Sequence, residues 1–181
     1  MNEPCMHEKD KKELGLVHLY WGEGKGKTTA AMGLALRALG QGCRVVVVQF
    51  LKGADSGEVA LLRQLGARVY RGKAGQKFVF QMDEGEKAAT RALQTENLAA
   101  ALACPCELLV LDEACAAWEL DMVDRPLLEQ AVRSRPAGRE VVLTGRRPAP
   151  WMEALADYST EMRCCRHPYE KGVRARRGVE F

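Results

Sequence analysis

Residues 16–29, LVHLYWGEGKGKTT, decide the fold. Leu16 to Tyr20 reads as a short buried strand, Gly22 to Thr29 as a glycine-rich turn, and AAMGLALRAL from Ala30 onward as the helix that follows. Alternating glycines let successive backbone N–H groups turn toward one anion, and a helix that starts where they end reinforces the site. Lys27 supplies a point charge for phosphates and the Thr28 hydroxyl a ligand for Mg²⁺, the roles of the lysine and hydroxyl in a Walker A loop. Gly22, Gly24, Lys25, Gly26, Lys27, Thr28 and Thr29 are therefore the candidate phosphate cradle, with Lys27 and Thr28 the candidate catalytic pair. The glycines do not fit GxGxxG and no acid ends the next strand, which excludes a dinucleotide site. A strict Walker A loop has glycine five positions before Gly26, where this chain has Trp21. The loop is one residue short, which argues against ordinary transfer of the γ-phosphate.

Gly40 and Gly42 close the first helix, and Val45 to Phe50 is a second strand, apolar on both faces as central parallel strands are. A helix near Glu58 to Leu65, a strand near Arg68 to Tyr70 and a polar loop from Arg71 to Met82 come next. Asp83 and Glu86 have capping-box spacing at the start of a long alanine-rich helix that runs to about Ala103, before Pro105. Further strands are expected at Leu108–Leu111, Glu140–Thr144 and Ser159–Arg163, with helices near Pro126–Arg135 and Trp151–Ala156. The alternation predicts an α/β, P-loop NTPase-like single domain with a mostly parallel sheet flanked by helices, and ligands at the strand carboxyl ends. Residues 1–13 read as a polar N-terminal arm and 14–181 as the domain.

With 181 residues and 47% hydrophobic content the chain can bury one sizeable core. A net charge of +3 gives no whole-chain argument for nucleic acid or a membrane surface. Cys5, Cys43 and Cys115 stand alone, Cys104 and Cys106 flank a proline, and Cys164 adjoins Cys165; such a scattered set fits reduced thiols rather than a disulfide framework or zinc cage. The charged N-terminus lacks the apolar core of a signal peptide, and no stretch approaches the length of a membrane span. A cytoplasmic protein is expected.

Asp112 and Glu113 follow the apolar run Leu108 to Leu111, where a Walker B acid would hold Mg²⁺; an acid pair in that position also fits a plain helix cap. Together with this strand and the short loop, LTGR at Leu143 to Arg146 and ADYSTEMR running into HPYEKGVRARRGVEF make the chain resemble the P-loop family of cob(I)alamin adenosyltransferases from about Gly15 to Phe181. The resemblance implies transfer of the 5′-deoxyadenosyl group of ATP to Co(I) of a corrinoid, with release of inorganic triphosphate. It also implies that the short loop holds ATP in the reverse sense, its ribose 5′ carbon facing the second substrate. Arg37 resembles a helix arginine that reaches ATP, Glu113 the acid that places Mg²⁺, and Phe78 and Phe80 the aromatic pair set against the corrin ring. The family often has tryptophan where Phe80 stands. Two phenylalanines at that spacing also fit the core of a short strand. A reduced flavoprotein donor, a homodimer and an N-terminal arm folded over the site are further implications.

Co(I) is a nucleophile with no proton to lose, which agrees with a chain that has only His7, His18 and His167 and no triad. The protein would supply in-line positioning and stabilisation of the departing triphosphate. Against this stand a P-loop phosphotransferase or ligase, which would yield ADP and phosphate, and a protein that binds ATP and corrinoid without turnover. The tail, with Arg163, Arg166, Lys171, Arg174, Arg176 and Arg177, carries a local positive excess without the aromatic interleaving of a nucleic-acid site. His167 beside Pro168 reads as structural.

Overall fold

A computed structural model describes residues 13–53, 56–75 and 77–180. Cys5, His7, Phe181 and all but the last residue of the N-terminal arm lie outside them. Among the described residues six strands, β1 (Val17–Trp21), β2 (Val45–Gln49), β3 (Arg68–Arg71), β4 (Leu108–Asp112), β5 (Glu140–Gly145) and β6 (Tyr158–Glu161), form one sheet in the order β3-β2-β4-β5-β1-β6. Every pairing is parallel, so the sheet is fully rather than mostly parallel. The helices are α1 (Lys27–Gly40), α2 (Gly57–Gln64), α3 (Glu84–Leu102), α4 (Ala114–Glu119), α5 (Arg125–Arg133) and α6 (Pro150–Leu155).

Side-chain alternation divides the core between the two faces of the sheet. Val45, Val47, Leu108, Val110 and Val142 pack with Ala31, Met32 and Ala35 of α1 and Leu62 of α2. Val46, Val48, Leu109, Leu111, Val141 and Leu143 pack on the opposite face with Leu98, Leu128 and Met152 from α3, α5 and α6. Burial on both faces is why β2 and β4 read as unbroken apolar runs.

Local signals explain most boundaries. Asp83 accepts the Glu86 N–H at 2.8 Å and Glu86 accepts the Asp83 N–H at 3.0 Å, so the expected capping box starts α3. Asp124 caps α5 by accepting from the Leu127 N–H, with Pro126 in its first turn. Helix α4, which has no periodic stretch long enough to read, was not expected; it leaves β4 directly through Glu113, whose φ of 60° is left-handed. Glu113 occupies the N-cap position but its side chain makes no cap hydrogen bond. His167 accepts the Tyr169 N–H at 3.2 Å at the start of a 3-10 turn, in line with a structural role.

Candidate nucleotide and corrinoid site

The carboxyl ends of β1, β2, β4 and β5 converge on the N-terminus of α1. That terminus has no capping side chain and no acid in its first turn. Its first amides, which have no partner inside a helix, and the dipole behind them are left to an anion.

Asp112 is the hub. Its carboxylate is fully buried, and its place on β4 shares the parity of Leu108 and Val110, which aims it at α1. Oδ1 accepts from the Thr28 hydroxyl at 2.9 Å and from the Thr144 hydroxyl at 2.7 Å; Oδ2 accepts from Gln49 Nε2 at 3.2 Å and Lys52 Nζ at 2.6 Å. The Thr144 hydroxyl in turn accepts the Glu113 N–H at 2.9 Å. The Glu113 carboxyl is pushed above the usual carboxylate range by burial and by Asp112, while Lys52, Lys27 and Arg146 pull it back. Lys27 Nζ donates to the Gly24 carbonyl at 2.6 Å, and burial lowers its pKa against the opposing pull of Glu113.

The glycines divide their tasks in a way their pattern did not reveal. Gly22 donates to the Arg146 carbonyl at 3.1 Å and Gly24 to the Met162 carbonyl at 2.6 Å, so these two amides serve the protein and not an anion. A Cβ at either position would stand 2.6 Å and 2.7 Å from the Met162 oxygen. The amides left without a helical partner are those that open α1, at Lys27, Thr28 and Thr29.

A cleft of about 830 Å³ opens beside this cluster, bordered by Lys25, Thr28, Thr29, Lys52, Arg71 and Phe78. The carboxyl-terminal tail borders it as well: Lys25 Nζ donates to the Val179 carbonyl at 3.2 Å. A second hollow of about 440 Å³ shares Leu51, Lys73 and Phe78 with the first and adds Lys77, Phe80 and Lys87. Phe78 precedes and Phe80 lies within a 3-10 turn (Val79–Gln81); they are 66% and 83% exposed, their rings 5.7 Å apart and 6° from parallel. The core alternative for this pair is thus overturned, because a turn and not a strand carries them. Arg37 is not brought to the cleft: it sits exposed, about 15 Å along α1 from Lys27, where its charge acts on Tyr20.

Sequence reasoning missed Lys52, Thr144 and Gln49. Strand parity could have found the last two and chosen Asp112 over Glu113 as the acid facing Thr28, since Gln49, Asp112 and Thr144 continue the α1-facing positions of their strands.

A parallel sheet with a glycine-rich loop between its first strand and helix, and an acid at the end of a neighbouring strand, defines a P-loop nucleotide-binding protein. Residues 13–181 match the family model described as ATP:corrinoid adenosyltransferase BtuR/CobO/CobP. The corrinoid adenosyltransferase of Pseudomonas aeruginosa is 35% identical over 184 residues, spanning 100% of this chain and 90% of that protein. That of Escherichia coli is 34% identical across 93% of this chain and 87% of its own, and corrinoid adenosyltransferase CobA of Salmonella typhimurium 33% identical across 94% and 88%. The chain belongs to the ATP:corrinoid adenosyltransferase family.

Proposed function

We propose that this protein transfers the 5′-deoxyadenosyl group of ATP to Co(I) of a corrinoid substrate, with the residues around Thr28 holding the triphosphate and the Phe78–Phe80 platform receiving the corrin ring. The observation that carries the reading is that the two hollows share Leu51, Lys73 and Phe78 in their walls, which sets an exposed aromatic surface beside the N-terminus of α1. Cobalt attacks the ribose 5′ carbon, a Co–C bond forms, the C5′–O bond breaks, and triphosphate leaves with the electron pair. No general base is needed. Lys27 and the opening amides of α1 stabilise the departing charge, and the fixed cluster holds the reactants in line.

The donor set fits a small hard cation: a hydroxyl and a carboxylate converge, and the Lys52 ammonium already stands between them. Among the described residues no three His, Cys, Asp or Glu side chains gather into a cage, so a cation here would draw most of its ligands from phosphate and water. Thr28 would hold Mg²⁺ with Asp112, and with Glu113 near it. Bound Mg²⁺ would neutralise charge on the triphosphate. Arg37, exposed in the last turn of α1 and outside the cleft, takes no part in this reading. The electron donor is a reduced flavoprotein, and the enzyme works as a cytoplasmic homodimer; the family resemblance supports both. No helix among the described residues is long and apolar enough to cross a membrane.

Anaerobic mixing with ATP, Mg²⁺ and chemically reduced cob(I)alamin tests the reading. A light-sensitive alkylcobalamin spectrum is expected. Production of ADP without a change at cobalt would favour the phosphotransferase alternative.

A further inference from the structure

Lys52 does more than neutralise Asp112. Its ammonium donates to Asp112 Oδ2 at 2.6 Å and to the Thr28 hydroxyl oxygen at 3.1 Å. The Thr28 hydroxyl has one proton and two lone pairs; the proton goes to Asp112 Oδ1 and one lone pair accepts from Lys52. The lysine therefore occupies the space between the two oxygens toward which a divalent cation would be drawn. Two cations in that space repel each other, and the more strongly the lower the local dielectric beside the buried Asp112 carboxylate.

The backbone holds the lysine there deliberately. Leu51, the residue before it, has φ 58°, a left-handed conformation that costs energy for a bulky side chain, and its N–H is pinned by the buried Gln94 Oε1 at 3.2 Å. Strained backbone of this kind persists where surrounding contacts over-determine it, and here it aims one side chain. Lys52 is also 30% exposed and borders the nucleotide cleft, so an outward swing needs no unfolding.

We propose that Lys52 is a resident counter-cation that keeps the Thr28–Asp112 site closed to divalent metal until nucleotide arrives, and that it then turns into the cleft and pairs with the triphosphate. Metal entry is thereby coupled to ATP: the Mg·ATP complex brings both a replacement cation for Asp112 and a new anionic partner for the lysine. This rests on the nucleotide-site reading above. It does not depend on which acceptor takes the adenosyl group.

The test is Lys52→Met, with Lys52→Gln as a second variant should the first fold poorly by circular dichroism. Mn²⁺ binding is followed by electron paramagnetic resonance without nucleotide, and Mg·ATP binding by calorimetry. Each variant is expected to bind Mn²⁺ alone about ten-fold tighter or more, and Mg·ATP about ten-fold more weakly, as loss of one charge-assisted hydrogen bond in each state implies. The Mn²⁺ gain should vanish when Thr28→Val is added. A lysine with a purely structural role would not shift the two affinities in opposite directions. Unchanged Mn²⁺ affinity, or shifts of the same sign, would overturn the proposal. No corrinoid or turnover enters either titration, so failure here is distinct from failure of the adenosyltransferase reading.

Discussion

The carbonyl oxygen of Met162 accepts the N–H of Gly24 at 2.6 Å, tying the segment that leaves β6 to the phosphate loop. The two segments lie so close that a Cβ on Gly24 would meet the Met162 and Arg163 carbonyl oxygens at 2.7 Å. Gly24→Ala must therefore push the loop or the strand end aside. A stability loss of about 1–3 kcal/mol is expected, together with weaker ATP binding, read from urea denaturation and calorimetry. Unchanged ATP affinity would mean that this contact does not shape the cradle.

In the proposed reaction the Lys27 ammonium, now on the Gly24 carbonyl, turns to the departing triphosphate, and Lys27→Ala removes that charge. A fall in kcat of about 10²–10³ is expected, with corrinoid affinity nearly unchanged because Lys27 does not line the hollow that holds Phe78 and Phe80. Steady-state kinetics beside direct corrinoid titration separates the two. Equal losses in both would count against the assigned role.

Phe80 is 83% exposed and touches little of the core. Phe80→Ala should leave folding stability within about 0.5 kcal/mol and raise the corrinoid KM roughly ten-fold, the worth of one aromatic contact. A large drop in melting temperature with normal KM would return the ring to a structural role.

The first strand and its phosphate loop were legible because local pattern and chemistry agree there: an apolar run, glycines, a lysine and a hydroxyl, then a helix. The strand is offset by one residue from its expected bounds because Trp21 pairs with Gly145 in the sheet, a contact no local pattern encodes. Lys52 was invisible for a related reason. A lysine after a strand is ordinary in sequence, and its meaning comes from Asp112, sixty positions away. The shared role of Gly22 and Gly24, whose amides bond to protein carbonyls beside Met162, depends on the return of the chain after β6 and was equally out of reach. Phe78 and Phe80 were found through family resemblance; their spacing alone also fitted the core of a short strand.

Glu140 sets an acid limit on stability. Burial pushes its carboxyl upward, but hydrogen bonds from His18 at 2.7 Å and from the Gly15 and Leu16 N–H groups outweigh it and hold the pKa below 4.5. A depressed folded pKa gives stability that is complete above the unfolded value and is lost as pH falls through the folded one. The wild type should therefore lose stability as pH falls through and below the usual carboxylate range. Glu140→Gln should flatten that slope in urea midpoints taken across the window; an identical slope would remove Glu140 as its source.

The reversed use of ATP is the central claim, and the fate of its phosphates tests it most directly. Phosphorus NMR of an anaerobic reaction with ATP, Mg²⁺ and cob(I)alamin should show inorganic triphosphate appearing in step with alkylated corrinoid, one for one, with no ADP. ADP and orthophosphate in place of triphosphate would contradict attack at the 5′ carbon and return the site to ordinary phosphoryl transfer.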